Sequence, residues 1–134
     1  MAKAEKPLAT KTKHQILVVE DNDLNLKLFR DLLDSEGFSV IETKDGLDGF
    51  NLALNHIPDL IVMDIQLKGV SGLDIIRKMK TEEKIKHIPI IAVTAFAMKD
   101  DREKVLASGC EVYLAKPISI ISFIATIKSH LKLL

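Results

Sequence analysis

The stretch Asp59-Leu60-Ile61-Val62-Met63-Asp64 limits what this chain can fold into more than any other. Four apolar residues run unbroken between two carboxylates, with Pro58 directly ahead. An apolar run of this length after a breaker fits a strand buried on both faces, as in a parallel sheet. Asp64 closes the run, so its carboxylate is expected at the strand's C-terminal edge, where open α/β sheets bind their ligands.

The flanking sequence supplies matching elements. Ile16-Leu17-Val18-Val19 is a second unbroken apolar run and ends at Glu20-Asp21. Asp21-Asn22-Asp23 can cap a helix carrying Leu24, Leu28 and Leu32 beside Leu26, Phe29 and Leu33, which Gly37 stops. Phe38 to Thr43 reads as a more polar edge strand, and Lys44-Asp45-Gly46 turns into a helix over 47–55. Beyond Asp64, the loop 65–72 contains Gly69 and Gly72 and leads to a helix over about 73–80, with Leu73, Ile76 and Met79 on one face. Pro89 opens the strand Ile90-Ile91-Ala92-Val93, ending at Thr94, and the mobile-looking stretch 95–98 precedes a helix near 99–108 closed by Gly109. A fifth strand, 111–115, ends at Lys116-Pro117. The last helix, about 119–132, is expected to bury Ile120, Ile121, Phe123, Ile124, Ile127 and Leu131. Strand and helix alternate five times. The fold class is therefore α/β: a (βα)5 doubly wound parallel sheet of five strands. The flavodoxin-like strand order 2-1-3-4-5 is the expected form of it.

Composition narrows the function. At 134 residues the chain is expected to form one domain over 15–134, preceded by a disordered basic tail over 1–14. That tail carries four lysines and one glutamate, and the remainder is net acidic although the whole chain balances 19 basic against 19 acidic residues. Nothing in this balance points to nucleic acid. No apolar run approaches a membrane span. The single Cys110 excludes a disulfide framework and fits a reducing cytoplasm, and His14, His56, His87 and His130 lack metal-ligand spacing.

The chemistry gathers where strands end: Glu20-Asp21 after the first, Asp64 after the third, Thr94 after the fourth and Lys116 after the fifth. In the order 2-1-3-4-5 the first and third strands flank the switch point, so three carboxylates converge there. Crowded like charges need a cation, and a hard, oxygen-coordinated Mg²⁺ supplies one. The arrangement suits phosphoryl transfer to a carboxylate, with Asp64 as nucleophile, Thr94 donating a hydrogen bond and Lys116 neutralising phosphoryl oxygens. Taken singly, the Asp reads as a helix cap, the Thr as a strand residue and the Lys as a solvated side chain. Their joint placement carries the functional reading.

Glu20-Asp21, Asp64, Thr94-Ala95, Tyr113 and Lys116-Pro117 together resemble the pattern of a response-regulator receiver domain over about residues 15–132. The stretches 19–29, 63–67, 93–98 and 116–119 look most like single-domain cell-cycle regulators of alphaproteobacteria. The resemblance implies a CheY-like fold and a phosphoprotein of a two-component phosphorelay rather than an enzyme. Asp64 would accept phosphate from a histidine kinase or histidine phosphotransferase. Mg²⁺ falls to Asp21, Asp64 and the backbone carbonyl of Gln66, with Glu20 acting through water. Thr94 and Tyr113 become a switch pair, and the Lys116-Pro117 bond is expected to be cis.

Output is expected through a downstream protein at the face of the fourth helix, fifth strand and fifth helix, without nucleic acid or membrane. The location is expected to be cytoplasmic, with recruitment to a cell pole through a kinase. Lys68 departs from the family, which usually has proline there. Gln66 and Phe96 are expected to flank the path of water to the phosphoryl group. A haloacid-dehalogenase-like phosphohydrolase would want a second Asp at position 66, and a phosphorylation-independent scaffold would not need the intact acid set.

Overall fold

A computed structural model of the chain describes residues 13–95 and 99–133. Its elements, in chain order, are β1 (Gln15–Val19), α1 (Asp23–Ser35), β2 (Ser39–Thr43), α2 (Gly46–His56), β3 (Leu60–Asp64), α3 (Gly72–Thr81), β4 (Ile90–Thr94), α4 (Lys99–Ala107), β5 (Val112–Ala115) and α5 (Ile120–His130). The five strands are all parallel and lie in the order β2-β1-β3-β4-β5. This is the doubly wound topology expected from the sequence. The expected tail falls outside the described residues except for Lys13 and His14, and the His14 carbonyl already accepts the Ser39 N–H.

All five residues of β3 and of β4 are buried, whereas β2 at the edge is half-exposed throughout. Side chains alternate between the two faces of each strand, and that alternation divides the interior into two cores. Leu17, Val19, Ile61, Met63 and Ala92 face α2 and α3, meeting Phe50, Ala53, Ile75, Ile76 and Met79. Ile16, Val18, Leu60, Val62, Ile91 and Val93 face α1 and α5. There Phe29 stacks on Phe123 with ring centroids 5.0 Å apart, which fixes the two helices against one another. Truncating either buried ring to alanine would cost about 3–5 kcal/mol.

The first three helices are capped at their site-side starts from within the sequence. The Asn22 side chain accepts the Asn25 N–H, Asp45 accepts Leu47, and Ser71 accepts Leu73. Because Asn22 supplies the cap of α1, Asp21 is left for the site. Gly72 opens α3 where nothing larger fits: a Cβ there would lie 2.3 Å from the Asp64 carbonyl oxygen and 2.7 Å from the Ile65 Cα.

Two apolar faces differ from expectation. In α5 only Phe123 and Ile127 are fully buried, while Ile120 and Ile121 are 52% and 83% exposed. Ile121 lies two residues before Phe123, roughly half a turn around a helix of about 3.6 residues per turn, so it points away from the sheet. Ile120 shares a side with Ile124 but sits in the first turn, before the helix is fully covered. In α1, Leu26, Phe29 and Leu33 carry the packing, leaving Leu24 and Leu28 exposed. No helix of the described residues is long and apolar enough to cross a membrane.

Candidate functional site

The ends of β1, β3 and β4 are level. Val19 pairs with Met63 and Asp64 pairs with Val93, so Glu20, Asp64 and Thr94 leave the sheet side by side. Glu20, Asp64 and Thr94 are buried, although the interior elsewhere is almost entirely apolar. Glu20, Asp21 and Asp64 each offer a carboxylate oxygen within 4.8 Å of the others.

Lys116 enters from the end of β5, where its backbone N–H donates to the Thr94 carbonyl at 2.8 Å. Its Nζ lies 3.2 Å from Glu20 Oε1 and donates to Asp64 Oδ2 at 3.4 Å. The other Asp64 oxygen, Oδ1, accepts the Gln66 N–H at 3.0 Å. One ammonium thus serves two buried carboxylates. The Lys116-Pro117 bond is cis, as the resemblance implies.

Glu20 bears the electrostatic burden of this crowding. Burial, followed by the neighbouring Asp64 carboxyl, raises its pKa from 4.5 to about 7, against the lowering pull of the Asn22 N–H and Lys116. Its Oε1 is within ion-pair distance of Lys116 yet lacks a hydrogen bond among the described residues. A buried carboxylate oxygen without a hydrogen bond, inside a cluster of three acids, is a donor set that a hard divalent cation such as Mg²⁺ fits.

The neighbouring loops are drawn in. The Asp21 carboxylate accepts the backbone N–H of Lys68 at 3.0 Å. Proline has no N–H to give, so Lys68 makes a contact that the family's usual residue cannot. The Gln66 side chain crosses to the end of β4, where its Oε1 accepts the Ala95 N–H at 2.8 Å. Phe96, expected to shield the site, lies outside the described residues.

Tyr113 sits in β5 opposite Ala92, half-buried. Its hydroxyl accepts the Arg102 Nε–H at 2.6 Å, with the guanidinium 5.6 Å from the ring centroid. Sequence reasoning missed Arg102, since nothing in the spacing of a polar helix and a strand reveals that they meet. It also missed the contact of the Gln66 side chain with Ala95, because an amide two residues past a strand end gives no sign of its direction.

A five-stranded parallel sheet with three acids and a lysine at its carboxyl edge defines a phosphoryl-receiving type of domain. The model of the response regulator receiver domain matches residues 16–128, and the chain belongs to that family. It is a receiver of two-component signal transduction. Among characterised relatives it is similar to the polar-differentiation response regulator DivK of Brucella ovis, with 55% identity over 87% of this chain and 94% of that protein. The DivK of Brucella anthropi is 54% identical over the same shares.

Among solved structures, the receiver domain of a sensor histidine kinase from Pseudomonas aeruginosa has a TM-score of 0.84 at 32% identity. The match covers 90% of this chain and 98% of that one, which holds a magnesium ion in its active-site cleft. The chemotaxis protein CheY4 of Vibrio cholerae shares the fold, with a TM-score of 0.82 at 20% identity over 87% of this chain and 98% of that one.

Proposed function

We propose that this receiver accepts a phosphoryl group on Asp64 from a phosphohistidine of a kinase or phosphotransferase, and passes the signal on by protein contacts in control of cell polarity or the cell cycle. The observation that carries the reading is the convergence of Glu20, Asp21 and Asp64 within 4.8 Å, with the Lys116 ammonium against two of them. Asp21, Asp64 and the Gln66 backbone carbonyl would hold Mg²⁺, with Glu20 acting through water. When bound, the ion neutralises charge on the phosphoryl oxygens.

The chain's own groups divide the remaining work. Lys116 holds Asp64 Oδ2 and the Gln66 N–H holds Oδ1, so the nucleophile is oriented before the donor arrives. An Asp64 oxygen attacks phosphorus, the P–N bond to the donor imidazole breaks, and the imidazole leaves as the proton-accepting base. Lys116, released from pairing with Asp64, then faces the phosphoryl oxygens, and the Thr94 hydroxyl donates to another. Drawing Thr94 toward the phosphoryl group vacates space into which Tyr113 turns, a bias on an existing equilibrium. The product is an acyl phosphate, so the chain acts as a phosphoacceptor, not as a catalyst of other substrates. The face of α4, β5 and α5 carries the output. The similarity to polar-differentiation regulators suits recruitment to a cell pole through a kinase.

Adding beryllofluoride and Mg²⁺, a mimic of the phosphoryl group, tests this reading by amide chemical shifts. Changes concentrated in residues 94–117 are expected. Changes confined to the loop after Asp64 would contradict the switch.

A further inference from the structure

Tyr113 is held by two contacts from a single residue on another element. The Nε–H of Arg102 on α4 donates to its hydroxyl at 2.6 Å, and the same guanidinium lies over the ring at 5.6 Å from the centroid. Arg102 is exposed, so the bond keeps the phenol oxygen at the protein surface. A ring that turns inward must break both contacts together, because one rigid, planar group makes them. We propose that Arg102 is a positioning residue that sets the resting bias of the Tyr113 switch, holding the ring outward until the site is phosphorylated.

The inference rests on the reading of Thr94 and Tyr113 as a switch pair and deepens it. In a two-state chain, the apparent dissociation constant of an activating ligand is its intrinsic constant divided by the fraction of chains in the competent state. Contacts present only in the outward state lower that fraction. Arg102 therefore makes activation harder, and removing it should make activation easier although it lies outside the acidic cluster. A second consequence follows for the surface. When Tyr113 leaves, the guanidinium on α4 loses its partner and becomes available to a carboxylate of a docking protein. The same side chain thus restrains the resting state and is freed for a new partner in the active one. Lysine, which keeps the charge but lacks the planar fork, cannot make the paired contact.

The test uses the full chain and two readouts. In the metal-free, unmodified protein, the Arg102 Hε resonance should shift when Tyr113 is replaced by Phe, since the acceptor oxygen is gone. With Mg²⁺ present, R102A should lower the beryllofluoride concentration for half-saturation about threefold to tenfold, followed at the Lys116 amide. R102K, which guards against a folding defect, should behave nearly as R102A. In a Tyr113→Phe background the effect of R102A should shrink to well under half its wild-type size on a logarithmic scale.

An Hε resonance indifferent to Tyr113→Phe would overturn the proposal, as would an R102A effect undiminished in that background or a midpoint that R102A leaves unchanged. If wild type does not respond to beryllofluoride at all, the phosphoacceptor reading fails, and the Hε readout still decides whether Arg102 holds Tyr113.

Discussion

Gln66 Oε1 accepts the backbone N–H of Ala95 across 2.8 Å, tying the loop after β3 to the residue just past β4. The amide spans the mouth of the site in the resting state, where it can orient water but cannot take its proton. Gln66→Glu keeps an acceptor for Ala95 and adds a base, so phosphoryl loss should quicken by about a hundredfold, the low end of general-base assistance. Gln66→Ala should speed hydrogen exchange at Ala95 without adding a base. The two measurements are phosphoryl decay at fixed Mg²⁺ and amide exchange. Equal decay for Gln66→Glu and wild type would remove Gln66 from the path of water.

Glu20 gives the metal-free protein a characteristic pH dependence. Its carboxyl, raised from 4.5 to about 7 by burial and then by Asp64, keeps its proton in the fold after the unfolded chain has lost it. The associated stability is fully present below about pH 4.5 and is lost as pH rises toward 7. In chelator, the melting temperature of wild type should therefore fall across this window relative to that of Glu20→Gln. Parallel curves for the two proteins would contradict the buried, crowded placement of Glu20.

The topology was legible in the sequence because four-residue apolar runs such as Leu60–Met63 and Ile90–Val93, each just after a proline, are too short for buried helices and fit strands buried on both sides, and their ends place Asp64 and Thr94 at one edge. The helices were less legible. Ile121 and Phe123 are equally apolar, and only the phase of α5 on the sheet decides that one is exposed and the other buried. The acid cluster could be read because each acid directly follows an apolar strand, so the strand order alone brings Glu20, Asp21 and Asp64 to one edge. The Arg102–Tyr113 and Gln66–Ala95 contacts could not, because long polar side chains reach in directions that spacing does not specify.

Lys68 competes for Asp21. Its N–H occupies Asp21 Oδ2 at 3.0 Å, and its charge also helps to lower the pKa of the nearby Asp23, after the larger effect of Lys44. Lys68→Pro removes both the donor and the charge, whereas Lys68→Ala removes only the charge. Hydrogen bonds to charged groups are worth about 1.5–3 kcal/mol, so Lys68→Pro should raise Mg²⁺ affinity by about tenfold, and Lys68→Ala by less. Titration with Mg²⁺ checks this. Equal affinities for wild type and Lys68→Pro would show that the N–H does not hold Asp21 back.

The central claim is that Asp64, held by Lys116 and the Gln66 N–H beside two further carboxylates, is the phosphoacceptor. Incubating the protein with a small phosphodonor and Mg²⁺, then measuring intact mass and mapping the modified peptide, tests it most directly. One acid-labile phosphoryl group on Asp64, absent in chelator and absent in Asp64→Asn, is the expected result. A phosphoryl group that persists in Asp64→Asn, or one that maps to another residue of the wild type, would contradict the account.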